Sequence, residues 1–364
     1  MSQVQRAAVT TTDDLASHWP GWPVYGLTDD LLPTIEKWTQ AGHRVAVATL
    51  VNVIGSSPRP LGSEMAICDT GEAAGYVSGG CVEAAVAAEA LAVMQTGKPR
   101  LLDYGAGSPV LDIQLECGGR IGIFVRELAD ATGHAARLRA ARDGRAAIGI
   151  SIDLETGDQS WFTGDDYDAM RGVDGRASVF IKTCLPPIRL VLVGGNPVAL
   201  ALAHMASPLG YEVTLLRPYG PAEPPPDTPL VRYDRRALEH ALADTPMDAW
   251  TAVYALTHHA EDDLMVLAHA LPSPAFCVGV LGSRGKIRQR LDCLREAGVD
   301  ARARARLKAP AGLEIGAHGP HEIALAILAQ IVSLQPQAPS RLLADHAGLL
   351  PRTSAASSAC SNAG

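Results

Sequence analysis

No two cysteines in this chain are spaced as Cys-x-x-Cys, no apolar run approaches the ~18 residues that a membrane-spanning helix needs, and bases are outnumbered, 31 against 39 acids. Each absence removes a class of function. The seven cysteines, at 68, 81, 117, 184, 277, 293 and 360, are an odd set without metal-ligand spacing, which argues against a disulfide framework and a structural zinc site and fits free thiols in a reducing compartment. Without a spanning run, no membrane partner is expected. A formal net charge of −8 leaves no global electrostatic footprint for nucleic acid, so any anion site must be local. The first 25 residues are polar and interrupted by prolines, lacking the basic start and apolar middle of a secretory signal, and a cytoplasmic location is expected.

What is present is enough apolar material, 47% of 364 residues, for two cores. After an N-terminal extension (1–29), a helical pattern over 31–41 ends at Gly42 and leads into the β-branched run 45–54, a buried strand. Two short apolar runs around Asp69-Thr70-Gly71-Glu72 predict a hairpin over 64–77. The alanine-rich stretch 82–94 predicts a well-packed helix, and strand-like runs follow at 100–104, 121–125, 147–152 and 178–181. These make a first α/β domain, residues 30–186. Pro186-Pro187 punctuates the chain. Strand 189–193, turn 194–197, helix 198–209 and strand 212–216 then read as the front half of a Rossmann-like doubly wound parallel sheet spanning 187–334. Residues 335–364, rich in proline, serine and alanine, predict a disordered tail.

Four stretches carry chemistry. Gly55-Ser-Ser-Pro-Arg-Pro-Leu-Gly-Ser63 follows a strand and is stiffened by prolines; Ser56, Ser57 and Arg59 offer two hydroxyls and a bidentate guanidinium to an oxyanion, or else form a turn with a solvated arginine. Ser78-Gly79-Gly80-Cys81-Val82-Glu83 places a thiol at a helix start, where unpaired N–H groups favour a thiolate able to ligate a soft metal or to carry sulfur; the alternative is a small, inert core residue. Cys117, in Glu-Cys-Gly-Gly, has similar neighbours. The turn Gly194-x-Asn196-x-x-Ala199 is an altered dinucleotide fingerprint, with Asn196 where a second glycine belongs and Arg217 where an acid would grip a ribose, so ordinary NAD use is disfavoured. At later strand ends stand Thr257-His258 and Gly282-Ser283-Arg284, with Lys286 completing a candidate anion nest. Arg288, Arg290 and the run Arg302, Arg304, Arg306 read as solvated faces.

In this order, GSSPRPLGS (55–63), SGGCVE (78–83), CGGR (117–120), THH (257–259), LGSRGK (281–286), KAPAGLEIGA (308–317) and PHEIALAI (320–327) resemble the XdhC/CoxI family, from about Val45 to Val332. The residues that match its motifs are Ser56, Ser57, Arg59, Ser78, Gly79, Gly80, Cys81, Glu83, Cys117, Gly118, Gly119, Gly282, Ser283, Arg284, Gly312 and Gly316; Asn196, Arg217, Glu314 and His321 depart from its pattern. The resemblance implies an XdhC/CoxI-type α/β domain followed by a Rossmann-like one. It implies a chaperone rather than an enzyme, which binds molybdenum cofactor of the molybdopterin type, plain or as its cytosine dinucleotide, and protects its sulfurated form. It implies two partners: an apo molybdenum hydroxylase such as xanthine dehydrogenase, which receives the cofactor, and a cysteine desulfurase. A homodimer is compatible with such a role. An anion cradle, a thiol at Cys81 and shelter between two domains are what such cargo needs. The competing readings are an NAD(P)-dependent oxidoreductase built on residues 188–334, a persulfide carrier through Cys81, and a structural subunit of the hydroxylase.

Overall fold

The computed structural model describes residues 22–108, 115, 118–163 and 178–337 and the backbone of 341–342. The chain divides into two compact units, one ending at Leu185 and joined by the strand Arg341–Leu342, the other running Pro186–Gln337.

The first unit contains α1 (Leu32–Gln40), β1 (Val45–Ile54), β2 (Glu64–Cys68), β3 (Ala73–Gly75), α2 (Glu83–Thr96), β4 (Arg100–Gly105), β5 (Arg120–Glu127), α3 (Ala131–Asp143), β6 (Ile148–Asp153), β7 (Gln159–Thr163) and β8 (Val179–Cys184). An antiparallel sheet has the order β3-β2-β1-β5-β4, and β6 pairs antiparallel with both β7 and β8 in a second sheet. The predicted hairpin over 64–77 is β2–β3. β1 reads as a continuous apolar run because both its faces are covered. Ala46, Ala48 and Leu50 pack with Val86, Ala87 and Ala90 of α2, whereas Val45 and Val47 pack with Ile35 and Trp38 of α1. Val51, at the register shift between Leu50 and Asn52, joins Phe124, Ile150, Ile152 and Phe180 of the second sheet's core. A continuous run is the usual mark of a parallel strand, but here it arises in an antiparallel sheet buried on both sides. The expected tail from 335 needs correction: Arg341 pairs with Ile181 and Leu342 with Phe180, so this segment lends the second sheet an edge strand.

A charged cluster lies inside this unit. Glu64 of β2 and Lys182 of β8 form an ion pair, both largely buried, and Thr49 Oγ1 donates to Glu64 Oε1 at 3.1 Å. Arg126 Nη2 donates to Gln159 Oε1 at 2.7 Å, and the His134 ring, 3.3 Å from the same oxygen, stands edge-on to Trp161 at 5.0 Å. Burial raises the Glu64 carboxyl, but the Lys182 charge and hydrogen bond outweigh it and hold the group below its ordinary range. Burial pushes the His134 imidazole down to about 4, Glu64 opposing and Arg126 and Lys182 adding to the effect.

Because the unfolded chain takes up that proton first, His134 supports the fold fully above pH ~6.5, and the support is lost as pH falls toward about 4. A displacement of this size corresponds to a loss of about 3 kcal/mol between neutral pH and pH ~4. His134→Gln is therefore expected to flatten urea-unfolding stability between pH 6.5 and 4.5 relative to the parent. Parallel pH profiles would remove His134 as the cause.

The second unit contains β9 (Arg189–Val193), α4 (Pro197–Ala206), β10 (Glu212–Leu216), β11 (Arg232–Asp234), α5 (Leu238–Ala243), β12 (Thr251–Ala255), α6 (Ala260–Ala270), β13 (Cys277–Val280), α7 (Ile287–Glu296), α8 (Ala301–Ala305), β14 (Leu307–Lys308) and α9 (Pro320–Leu334). Its six strands are all parallel, in the order β11-β10-β9-β12-β13-β14. One apolar cluster joins the sheet to α4 and α9, the other joins it to α5, α6, α7 and α8, so helices cover both faces. The strand order reverses at β9, which puts a topological switch point between β9 and β12 at the carboxyl edge.

Candidate functional site

The candidate residues fall into two groups, one in each unit. In the first unit, three motifs converge at one end of the five-stranded sheet. The Ser-Ser-Pro-Arg turn leaves the end of β1, residues 118–119 enter β5 beside it, and residues 78–82 lead into α2. The approach is close enough to dictate sequence: a Cβ on Gly119 would lie 2.0 Å from the Ser56 carbonyl oxygen, so only glycine fits there. Gly79 faces Pro58, whose Cγ would be 3.5 Å from an added Cβ. Gly80 is exposed, with φ +103.

Ser56 is exposed; Ser57 is half-buried, its Oγ accepting from Arg59 N at 3.3 Å and donating to Arg59 O at 3.0 Å, which closes the turn. The Arg59 side chain, 19% exposed, is not the solvated arginine of the alternative reading. Its Cζ lies 4.3 Å over the Tyr76 ring, its Nη2 donates to Asp29 Oδ1 at 2.5 Å, and its buried Nε has no acceptor among the described residues. Beside Gly119, Arg120 and Asp103 form a bidentate pair, both side chains nearly buried, with Nε–Oδ1 at 2.8 Å.

Glu83 is fully buried. Its carboxylate accepts from the N–H groups of Val77 (3.2 Å), Ser78 (2.8 Å) and Val82 (3.1 Å) and from Ser78 Oγ (2.8 Å), and Ser78 Oγ in turn accepts from Cys81 N at 3.2 Å. Sequence reasoning placed Glu83 and Ser78 among the groups that touch cargo; they are instead engaged with their own turn and shape it. Cys81 is exposed, which overturns the reading of it as an inert core thiol. The argument for a thiolate also changes. α2 begins at Glu83, so Cys81 lies just outside the helix, and the positive end of the helix is met by the Glu83 carboxylate. Cys117 lies outside the described residues. Among those described, no group of three or more His, Cys, Asp or Glu is arranged to hold a metal ion.

In the second unit the candidates line the carboxyl edge of the parallel sheet. Gly194 is buried after β9, its N–H donating to Leu216 O at 2.9 Å. Asn196 caps α4, accepting from Ala199 N at 2.9 Å, and its Nδ2 crosses the switch point to Leu256 O at 2.8 Å. Both ends of that amide are therefore in use. Pro197 has no N–H and Leu200 N goes to Asn196 O, leaving Val198 as the remaining first-turn donor. This turn does not offer the row of N–H groups that grips a pyrophosphate, and the oxidoreductase reading loses its main support.

His258 and Ser283 are exposed, and Arg284 pairs with Glu314 at 2.6 Å, both side chains well solvated. Two arginines expected on solvated faces hold backbone together instead. Arg290 bonds Leu281 O and Asp263 Oδ2, both at 2.8 Å, while Thr257 Oγ1 donates to Asp263 Oδ1 at 2.7 Å. Arg306 bonds the carbonyls of Leu271, Ser273 and Ala275. Asp263 was missed because its partners lie 6 and 27 residues away, although a Thr before and an acid inside a helix start is a spacing that hints at the first contact.

Residues 38–105 match the XdhC and CoxI family, and residues 190–331 match the family described as XdhC Rossmann domain. The Escherichia coli molybdenum cofactor insertion chaperone PaoD is 31% identical over 325 residues, covering 88% of this chain and 94% of that protein. A Bacillus subtilis protein named as a probable xanthine dehydrogenase subunit is 26% identical, covering 80% of this chain and 93% of its own length. A solved structure from Bacillus halodurans, described as a xanthine dehydrogenase, shares the fold with a TM-score of 0.70 at 23% identity, covering 83% of this chain and 95% of that one.

Proposed function

The chain belongs to the XdhC and CoxI family, and from that premise we propose that it is a molybdenum cofactor insertion chaperone, not an enzyme, serving a hydroxylase of the xanthine dehydrogenase type. The cargo is a pterin with an anionic phosphate end and a molybdenum–sulfur centre. The observation that carries the reading is the convergence, at one end of the first unit's sheet, of an exposed thiol and a half-sheltered guanidinium on turns packed against each other through glycine. Arg59 is suited to the anion: stacking on Tyr76 fixes its plane, and its Nε lacks an acceptor among the described residues. Asp29, 71% exposed, is the group an incoming anion would displace from Nη2. Cys81 is suited to the soft metal centre or its sulfur. Protection of the sulfurated centre, supply of sulfur by a cysteine desulfurase, hand-over to the apo-hydroxylase and homodimer formation belong to the same proposal.

The test is activation of an apo-hydroxylase by the protein preloaded with cofactor, against the same amount of free cofactor. Cys81→Ser is expected to weaken cofactor retention roughly 10–100-fold, the loss typical of disturbing a metal's immediate surroundings. It should activate no better than free cofactor. Because Cys81 is exposed, the unfolding free energy of the variant should differ from the parent's by less than about 0.5 kcal/mol. Equal activation by Cys81→Ser and the parent would refute the thiol's role. An added sulfur on Cys81 after incubation with desulfurase and cysteine would favour the persulfide carrier instead.

A further inference from the structure

In the second unit, Arg217 follows β10 at the carboxyl edge of the parallel sheet, one strand from the switch point. Its side chain lies across the Gly194-Gly195 turn. A Cβ on Gly195 would fall 2.5 Å from Arg217 Nε and 2.9 Å from Cζ, and a Cβ on Gly220 would fall 2.8 Å from its Cδ. Neither glycine has a backbone in the left-handed region. Their conformations would admit any residue, so the space for the arginine side chain accounts for Gly195, and at Gly220 it does so together with the Tyr233 hydroxyl, 2.6 Å from an added Cβ. That arginine is half-buried; its backbone N–H donates to Asp234 O at 2.8 Å, while among the described residues no carboxylate pairs with its guanidinium and no acceptor takes the guanidinium N–H groups. Its neighbours differ: Arg232 and Arg236 are both tied to Asp234. A guanidinium seated in a glycine slot without a counter-ion, at the edge where open α/β sheets bind ligands, is a prepared anion site.

We infer that Arg217 binds a phosphate monoester at the carboxyl edge of the second unit. The planar fork matches phosphate oxygens bidentately, and the Val198 N–H at the start of the ten-residue α4 adds a donor and the positive helix end. Because Asn196 consumes the rest of that turn, the site takes a single phosphate and not a pyrophosphate. The ester is the phosphate of a nucleotide or of a non-nucleotide carrier. This inference stands whether or not the first unit holds molybdenum cofactor.

The test is calorimetric titration of the full chain with CMP, glycerol 3-phosphate and sodium pyrophosphate, in the parent and in Arg217→Ala and Gly195→Ala. At least one monoester should bind, and its affinity should fall tenfold or more in Arg217→Ala. Gly195→Ala should do the same, since its methyl group takes the place of the guanidinium. Stronger binding of CMP assigns the nucleotide source, and equal binding of both esters assigns the bare monoester. Failure of every monoester to bind the parent at millimolar concentration, undiminished affinity in Arg217→Ala, or tighter binding of pyrophosphate than of either ester would overturn the inference.

Discussion

Replacing Glu83 with alanine is expected to destabilise the first unit by roughly 3–6 kcal/mol, since each buried donor stripped of its acceptor costs about 1–3 kcal/mol and water can rescue only part of the loss. The carboxylate is fully buried and is the acceptor for three backbone N–H groups and the Ser78 hydroxyl. Urea unfolding measures the loss, and amide hydrogen exchange locates it: protection at Ser78 and Val82 should collapse before that of β1 and β5. Glu83→Gln keeps one acceptor oxygen but turns an NH2 group toward donors, so it should fall between alanine and the parent. A loss below about 1 kcal/mol in Glu83→Ala would mean that the turn holds its shape without the carboxylate. Cofactor retention should fall in step with the lost protection, because Cys81 is positioned through Ser78 Oγ, which Glu83 holds.

Lys182→Met should cost about 3–5 kcal/mol at neutral pH, the usual penalty for stranding one charge of a buried pair. At neutral pH Glu64 would then face only Arg126 as a compensating charge, because His134, pushed down to about 4, is uncharged there. In the parent, Glu64 is held below its ordinary range, so its support for the fold is present above pH ~4.5 and is lost as pH falls through the depressed value. In the variant burial acts with less opposition, the carboxyl rises, and the stability deficit should shrink as pH is lowered toward 4. The double change Glu64→Gln with Lys182→Met should recover most of the loss, because no charge is left stranded. A deficit independent of pH, or a double variant as unstable as Lys182→Met, would mean that packing and not charge sets the effect.

These predictions rest on contacts that the sequence does not display. Local signals were strong where one residue type dominated: the alanine-rich helix α2, the β-branched run of β1, and the succession β9, α4 and β10 after Pro186-Pro187 were all legible. The sense of the first unit's sheets was not, because β1 is buried on both faces and carries no polar alternation. Glu64 and Lys182 are 118 residues apart, and neither has a neighbour that announces the other. At the site, chemistry-bearing residues were found by type but not by orientation. Glycine and serine next to Cys81 pointed to a tight turn, yet only the fold reveals that Glu83 faces inward while Cys81 faces solvent. Likewise Asn196 was recognised as an altered fingerprint position, but its bond to Leu256 O, 60 residues away, is what fills the switch point.

The central claim is that the first unit holds molybdenum cofactor through Cys81 and Arg59. Its most direct test is ultrafiltration of freshly released cofactor with the full chain, with molybdenum and pterin both quantified in the retentate. The account predicts close to one of each per chain for the parent, a joint loss of molybdenum and pterin in Cys81→Ser, and no retention of either in the double variant Cys81→Ser, Arg59→Ala. Retention of neither component by the parent, or full retention by the double variant, would contradict it.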